Sequence, residues 1–412
     1  MTTTDRTESG TPRGALGALR ALRRDLGPDE LGNGLVGLLF SITGPVAVIL
    51  AVARTGDLPQ SVVASWIFAV FALNGGLTIV AALVHRQPLC FFWTIPGTVL
   101  VGQALASGLR WSEVVGAYVL TAALVLLVGL TGRVDRVMGL LPMPIVMAMV
   151  AGVFLQFGLG LVTAVGHDVA VAAPMVVTFL LCTAVPAMAR RVPPILAALV
   201  VGAGVVLLAG RLDPAAASGD WVVTPVWQVP EFTGAAAAEL VVPLAITVLV
   251  VQNGQGMAVL RDAGHRPPMN QVTLACGVLS FPTALLGGVS TCLTGPTNAL
   301  LTASGDRDRH YAAAVWCGLL AIGFGIVAPG MVRLMSATPT AFVAVLGGLA
   351  MLRALQGAFT TAFSGPFGTG ALLCFLVTVA DVTVLNVGAA FWGLVVGLAV
   401  SALLEADDFR RR

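Results

Sequence analysis

Fourteen apolar stretches, each of membrane-spanning length or a little shorter, follow one another along this chain, and that series constrains the fold more than any other feature. They lie near residues 33–53, 61–84, 89–107, 112–130, 138–161, 168–187, 193–210, 238–258, 270–287, 290–304, 311–332, 338–355, 367–384 and 386–405. Lipid offers no hydrogen bonds to exposed backbone, so only helices and closed barrels span it. Barrel strands read as alternating segments of about ten residues, whereas these runs are continuous, which selects helices. Composition points the same way. The 412 residues are 57% hydrophobic and 10% charged, where an ordinary soluble domain carries about 25% charged residues. Mean hydropathy is +0.94. The expected fold class is an all-α polytopic membrane protein.

All 22 basic residues are arginine, and their placement sets the orientation. With the N-terminus inside, only Arg54, Arg110, Arg211 and Arg333 fall outside, leaving 18 on the inner side. Such a positive-inside bias supports fourteen segments with both termini cytoplasmic. Residues 211–237 form the longest outer loop, and Trp221 and Trp227 suit its membrane interface. Ahead of the first segment, Leu16, Leu19, Leu22 and Leu26 repeat at helical spacing beside Arg20, Arg23 and Arg24. That pattern fits either a short helix on the inner membrane surface or a solvated tail. The apolar run 34–53 is longer than a usual secretory core and reads as a retained first span.

Several function classes lack support. The arginines are scattered between apolar runs, so no nucleic acid is indicated. The six cysteines include no Cys-x-x-Cys pair, so neither a zinc site nor a disulfide framework is indicated. They read as small buried hydrophobes. Gly-x-Ser-x-Gly, His-Glu-x-x-His and Walker-type motifs are missing, which argues against an enzyme and against an ATP-driven pump. No cofactor or metal is expected. His85, His167, His265 and His310 fall at loop positions and read as solvated.

The third and tenth segments differ from the rest. Ile95-Pro96-Gly97-Thr98 leads into Ala104-Leu105-Ala106-Ser107-Gly108, and Gly295-Pro296-Thr297-Asn298 leads into Leu301-Thr302-Ala303-Ser304-Gly305. An offset of seven segments turns the second copy upside down, giving a seven-plus-seven inverted repeat. Paired broken helices at matching positions point to a transporter binding site. Proline suits the first helical position, so Pro96 and Pro296 could each start a half-helix at mid-membrane depth. Its N-terminus would present N–H groups and partial positive charge to an anion. The plainer alternative is a pair of kinked spans.

The eighth segment carries Gln252-Asn253-Gly254-Gln255-Gly256. Amides buried in lipid need partners. Gln252 and Asn253 read as substrate contacts, and Gln255 reads equally as a contact or as interhelical glue. Ser41, Thr43, Gly44 and Pro45 make a similar polar break in the first segment, while Asn74-Gly75-Gly76 suggests close helix packing. Asp381 is the one acid embedded in an apolar run and is the candidate for proton coupling.

Over residues 31–405 the chain resembles the bacterial benzoate:proton symporter family. The resemblance rests on Trp93-Thr94-Ile95-Pro96-Gly97, on Gln252-Asn253 with Gly256 and Arg261-Asp262-Ala263-Gly264, and on Ala390-Phe391-Trp392-Gly393-Leu394. It implies the fold of uracil and xanthine permeases. In that fold residues 31–130 and 238–334 form a core domain and residues 131–210 and 338–405 a gate, with tails at 1–30 and 406–412. It further implies substrate between the half-helices of segments 3 and 10, beside segment 8. Candidate contacts are then Thr94, Ile95, Gly97, Thr98, Thr294, Gly295, Thr297, Asn298, Gln252, Asn253, Ser41 and Thr43. A homodimer is also implied. Nucleobase permeases of this fold carry acids in segments 8 and 10, and here those positions are uncharged. The expectation is therefore a secondary transporter for benzoate or a similar aromatic carboxylate, with protons as co-substrate. A nucleobase, another small anion, or an anion channel are the alternatives. For the proton, benzoate itself, Asp381 or a histidine could serve.

Overall fold

The computed structural model describes residues 15–185, 192–213, 219–380, 384 and 389–410, and its architecture is helical apart from one two-stranded ribbon. In chain order the helices are α1 (Ala15–Asp25), α2 (Pro28–Thr55), α3 (Gln60–His85), α4 (Ile95–Ala106), α5 (Trp111–Leu130), α6 (Val134–Met138), α7 (Met143–His167), α8 (Val169–Ala184) and α9 (Pro194–Leu208). There follow α10 (Gly234–Asp262), α11 (Met269–Leu285), α12 (Gly295–Leu301), α13 (His310–Ile326), α14 (Ala328–Ser336), α15 (Thr340–Phe363), α16 (Gly368–Ala380), α17 (Ala389–Leu404) and α18 (Ala406–Arg410). Seven of them are long and apolar enough to cross a membrane: α2, α3, α5, α7, α10, the stretch Arg307–Ile326 containing α13, and α15. Helices α4, α8, α9, α16 and α17 are apolar but shorter.

Helix starts follow capping chemistry. Pro28 opens α2 behind Gly27, whose N–H donates to Glu30 Oε2 at 2.8 Å. At α5 the Arg110 N–H donates to Glu113 Oε2 at 2.8 Å. The α3 helix ends where Arg86 turns left-handed (φ 53°). Two expectations for the eleventh and twelfth segments need correction. The stretch 311–332 is not one helix, because Ala328-Pro329 starts a new one at α14. The twelfth does not stop near residue 355. Polar Arg353 and Gln356 lower its hydropathy, yet no helix breaker stands before Ser364-Gly365-Pro366, and α15 continues to Phe363.

The helices pack in two groups. In one, α11 lies on α5, α13 lies on α3 and α2, and α4 and α12 flank α2. In the other, α15 and α16 lie on α7, α17 on α16, and α9 on α8. They meet chiefly where α2 crosses α15. A Cβ on Gly44 would lie 2.3 Å from Ala350 Cβ, so the crossing requires glycine. Within the first group, a Cβ on Gly75 would lie 2.6 Å from the Gly318 carbonyl, the close approach expected from Asn74-Gly75-Gly76.

A polar cluster ties α1 to this first group. Asp25 Oδ2 accepts from Arg86 Nη2 at 3.0 Å and from the Tyr311 hydroxyl at 2.8 Å, and the Arg86 guanidinium lies 3.7 Å above the Tyr311 ring. Burial opposes the Asp25 charge, but hydrogen bonds from Tyr311, Arg24 and Arg86 outweigh it and hold the carboxyl below its usual range. Arg309 adds a bond from Nε to the Asp25 carbonyl at 3.0 Å and one from Nη2 to Glu30 Oε2 at 3.3 Å. The six cysteines are free and buried.

Candidate functional site

The two interrupted segments meet at the centre of the first group as an antiparallel ribbon. Strand β1 (Phe91–Trp93) pairs with β2 (Thr291–Leu293) in the register Phe91↔Leu293, Phe92↔Cys292, Trp93↔Thr291. The flanking bonds repeat across the pair: Thr94 N–H donates to the Ser290 carbonyl and Thr294 N–H to the Cys90 carbonyl, each at 3.2 Å. Side chains anchor each strand alike. Phe91 N–H donates to Thr78 Oγ1 and Thr291 N–H to Ser280 Oγ, both at 2.9 Å. Strand edges buried in a membrane must be paired, and each strand pairs the other. Helix α4 leaves β1 and α12 leaves β2, with Pro96 and Pro296 in their first turns.

The two half-helix starts are not chemically equal. Thr94 caps α4: its Oγ1 accepts the Gly97 N–H at 3.1 Å and donates to Thr247 Oγ1 at 2.9 Å. Thr294, at the same position before α12, makes no side-chain cap, and its buried Oγ1 has no partner among the described residues. An orphaned buried hydroxyl costs about 1–3 kcal/mol, and Thr294 Oγ1 is free to bond a ligand or a water.

A small pocket of about 20 Å³ lies between the half-helices, lined by Phe40, Ser41, Pro45, Phe92, Trp93, Ile95, Gln252, Thr294, Pro296 and Thr297. It adjoins a cavity of about 860 Å³ between the two helix groups, and Phe40, Ile95, Gln252 and Pro296 face both. From there the cavity extends past Phe154 toward Thr183, Pro193 and Thr361. Gln252 is buried and forms no hydrogen bond to the described residues, so its amide is available to a ligand. It stands in a π-helical turn, Thr247–Asn253, which re-aims the side chains of α10. Ser41 donates to the Gly37 carbonyl at 3.0 Å and lies 3.3 Å from Thr297 Oγ1.

Other expected contacts make bonds or close packing within the protein. Asn253 Oδ1 accepts the Leu293 N–H at 2.8 Å, which holds β2, while its Nδ2 is buried without a partner among the described residues. Asn298 pairs with the backbone of Cys90. Thr43 and Thr98 bond back to their own helices, at Leu39 and Thr94. Gly97 packs under Thr94 and Leu244, and Gly295 lets the Gln255 side chain pass. Gln255 itself lines the large cavity, as do Phe154 and Arg353, neither of which any sequence motif marks. Asp381 lies outside the described residues. His265 and His310 are not solvated: both are buried, with Nε2 of the first 3.2 Å from Nδ1 of the second.

Paired half-helices crossing at a central ribbon are the architecture of a class of membrane transporters. The chain is similar to the SLC26A9 structure (TM-score 0.64, 15% identity, 91% of this chain and 64% of that one). It is also similar to the transmembrane domain of the cyanobacterial bicarbonate transporter BicA (TM-score 0.58, 14% identity, 91% and 98%). A third likeness is to the murine Slc26a9 anion transporter in its inward-facing state (TM-score 0.62, 13% identity, 98% and 74%). At such identities the likeness is one of fold.

Within that class the sequence is specific. The family described as benzoate membrane transport protein matches residues 24–403, and the chain belongs to it. It is 28% identical over 397 residues to the inner membrane protein YdcO of Escherichia coli (strain K12), covering 93% of this chain and 98% of that one. It is likewise 28% identical over 395 residues to the benzoate membrane transport protein of Acinetobacter baylyi, covering 94% and 98%. The protein is a multi-pass membrane transporter.

Proposed function

We propose that this chain is a proton-coupled secondary transporter that carries benzoate, or a similar aromatic carboxylate, across the bacterial inner membrane. One observation carries the reading: between the half-helices lies an uncharged pocket with aromatic walls and unsatisfied polar groups. Phe40, Phe92 and Trp93 offer faces to a planar ring, while the free amide of Gln252 and the orphan hydroxyl of Thr294 offer donors to a carboxylate. No Asp or Glu lines either cavity among the described residues, so a substrate bringing its own negative charge meets no repulsion. A nucleobase would find no carboxylate to bond its ring N–H groups. The name of the Acinetobacter relative supports the same substrate.

The small pocket holds about one water molecule, so a ring must enter from the larger cavity. Ala258, Thr183 and Pro193, near the arginine-bearing loops, line that cavity, which supports reading the arrangement as inward-open with both termini cytoplasmic. Movement of the α7–α9 and α15–α17 group against the other, about the Gly44–Ala350 crossing, would expose the pocket to the opposite side. The two packing groups support this division into gate and core.

Uptake of radiolabelled benzoate into proteoliposomes, with and without an inward proton gradient, tests the reading. Protonated benzoic acid crosses bilayers unaided, so protein-free liposomes under the same gradient are subtracted. Protein-dependent uptake that the gradient stimulates and excess uracil leaves unchanged is the expected result. Folded protein giving no uptake above empty liposomes overturns the benzoate assignment.

A further inference from the structure

The large cavity has thirty lining residues among those described, and one of them, Arg353, is charged. It sits on α15, about 15 Å before that helix ends at 1.5 Å per residue, and so inside the helix rather than in a loop. Among the described residues no carboxylate pairs with it and no acceptor takes a hydrogen bond from it; the described salt bridges all involve other arginines. Arg353 is exposed to the cavity, and an unpaired cation within an otherwise apolar helix is a functional candidate. It also stands on the group opposite the half-helices, across the space a substrate must traverse.

We propose that Arg353 sets the charge selectivity of the cavity: its unpaired guanidinium makes the route to the half-helix pocket positive, drawing in monoanions with a flat apolar body and turning away cations. The proposal deepens the transport reading and rests on it for the identity of the anion. The physics is that of a cleft with low-dielectric walls and one sign of charge, which concentrates counter-ions. Met143, Met147, Val150, Phe154, Leu349 and Met351 supply the apolar walls. The carboxylate would pass Arg353 first and then move to the uncharged donors at Gln252 and Thr294. An exposed, solvated cation suits a way-station that must release its ligand, where a buried ion pair would trap it. Arg353 thus acts as a positioning residue on the entry path.

The test measures cavity potential without any transport substrate. Gly357 lies one turn beyond Arg353 on the same face and lines the cavity. A Cβ added there would meet nothing within 4 Å, so Gly357→Cys is accommodated. The native cysteines are buried and line neither cavity. Thiol modification by a sulfonate-bearing and a trimethylammonium-bearing methanethiosulfonate is compared in Gly357→Cys protein, with the unsubstituted parent as background. The anionic reagent gains on the cationic one by about 10-fold relative to free cysteine. Adding Arg353→Gln abolishes that preference, Arg353→Lys retains it, and raised salt weakens it. A reagent ratio that Arg353→Gln leaves unchanged overturns the proposal. Loss of benzoate uptake by wild-type protein, with the ratio behaving as expected, would instead overturn the benzoate assignment alone.

Discussion

Asn298 pairs with both backbone groups of Cys90: its Nδ2 donates to the Cys90 carbonyl and the Cys90 N–H donates to its Oδ1, each at 3.1 Å. The same Nδ2 reaches the Thr294 carbonyl at 2.6 Å. One side chain on α12 therefore extends the β1–β2 ribbon and locks the second broken segment to the first. The amide is spent on the scaffold, and the ribbon is what places Trp93, Thr294 and Pro296 around the small pocket.

Asn298→Leu should thus act on stability. It strands the buried Cys90 N–H, while the Cys90 carbonyl keeps the Thr294 N–H, at a cost of about 1–3 kcal/mol. The expected outcome is a lowered melting temperature in detergent, with an unchanged benzoate KM in whatever protein remains folded. An unchanged melting temperature with a raised KM would place Asn298 against the substrate instead.

Thr94 and Thr294 hold matching positions and should answer oppositely to the same change. Thr94→Val removes a helix cap and the bond to Thr247, costing about 1–2 kcal/mol. Thr294→Val removes a hydroxyl that has no partner among the described residues, so stability holds or rises slightly. Binding is where Thr294→Val shows: benzoate KM increases several-fold while the melting temperature does not fall. Equal melting shifts in the two variants would count against the asymmetry.

The sequence shows where the broken segments lie because proline marks a first helical turn whatever surrounds it, and the polar residues after Pro96 and Pro296 cluster accordingly. It does not show which of those polar residues face the pocket. Gln252 and Asn253 are neighbours, yet the π-helical turn that contains them leaves one facing the cavity and the other facing Leu293, and no spacing rule distinguishes them. Arg353 lay beyond sequence reasoning for a related reason: a falling hydropathy looks like the end of a span, although the helix runs on to Phe363. The pairing of His265 with His310 depends on two loops meeting, which local pattern does not encode.

Gln252 carries the sharpest functional expectation. Its amide lies in the wall shared by both pockets and bonds to none of the described residues. Gln252→Ala should leave the melting temperature within about 1 °C and raise benzoate KM roughly 10-fold, the equivalent of about 1.4 kcal/mol. Direct binding of labelled benzoate to purified protein should weaken by the same factor. Unaltered affinity in Gln252→Ala would remove this residue from the site.

His265 predicts how stability depends on pH. Burial first, then the neighbouring charges of His310 and Arg307, lower its pKa from the usual 6.5 to about 4, with Asp308 acting weakly the other way. The folded state thus resists a proton that the unfolded chain accepts below 6.5. The stabilisation is complete above pH 6.5, is lost progressively as pH falls toward 4, and changes no further below that. The loss is of order 1–3 kcal/mol. His265→Gln, which cannot titrate, should flatten the fall in melting temperature between pH 6.5 and 4 relative to wild type. The loops of α10–α11 and α13 meet at this pair, beside the Asp25–Arg86–Tyr311 cluster, so loosening it should also free α1. Protease cleavage near Arg23 and Arg24 that accelerates below pH 6 in wild type, but not in His265→Gln, is the matching observation. Cleavage independent of pH in both proteins would show that α1 is held by Asp25 alone.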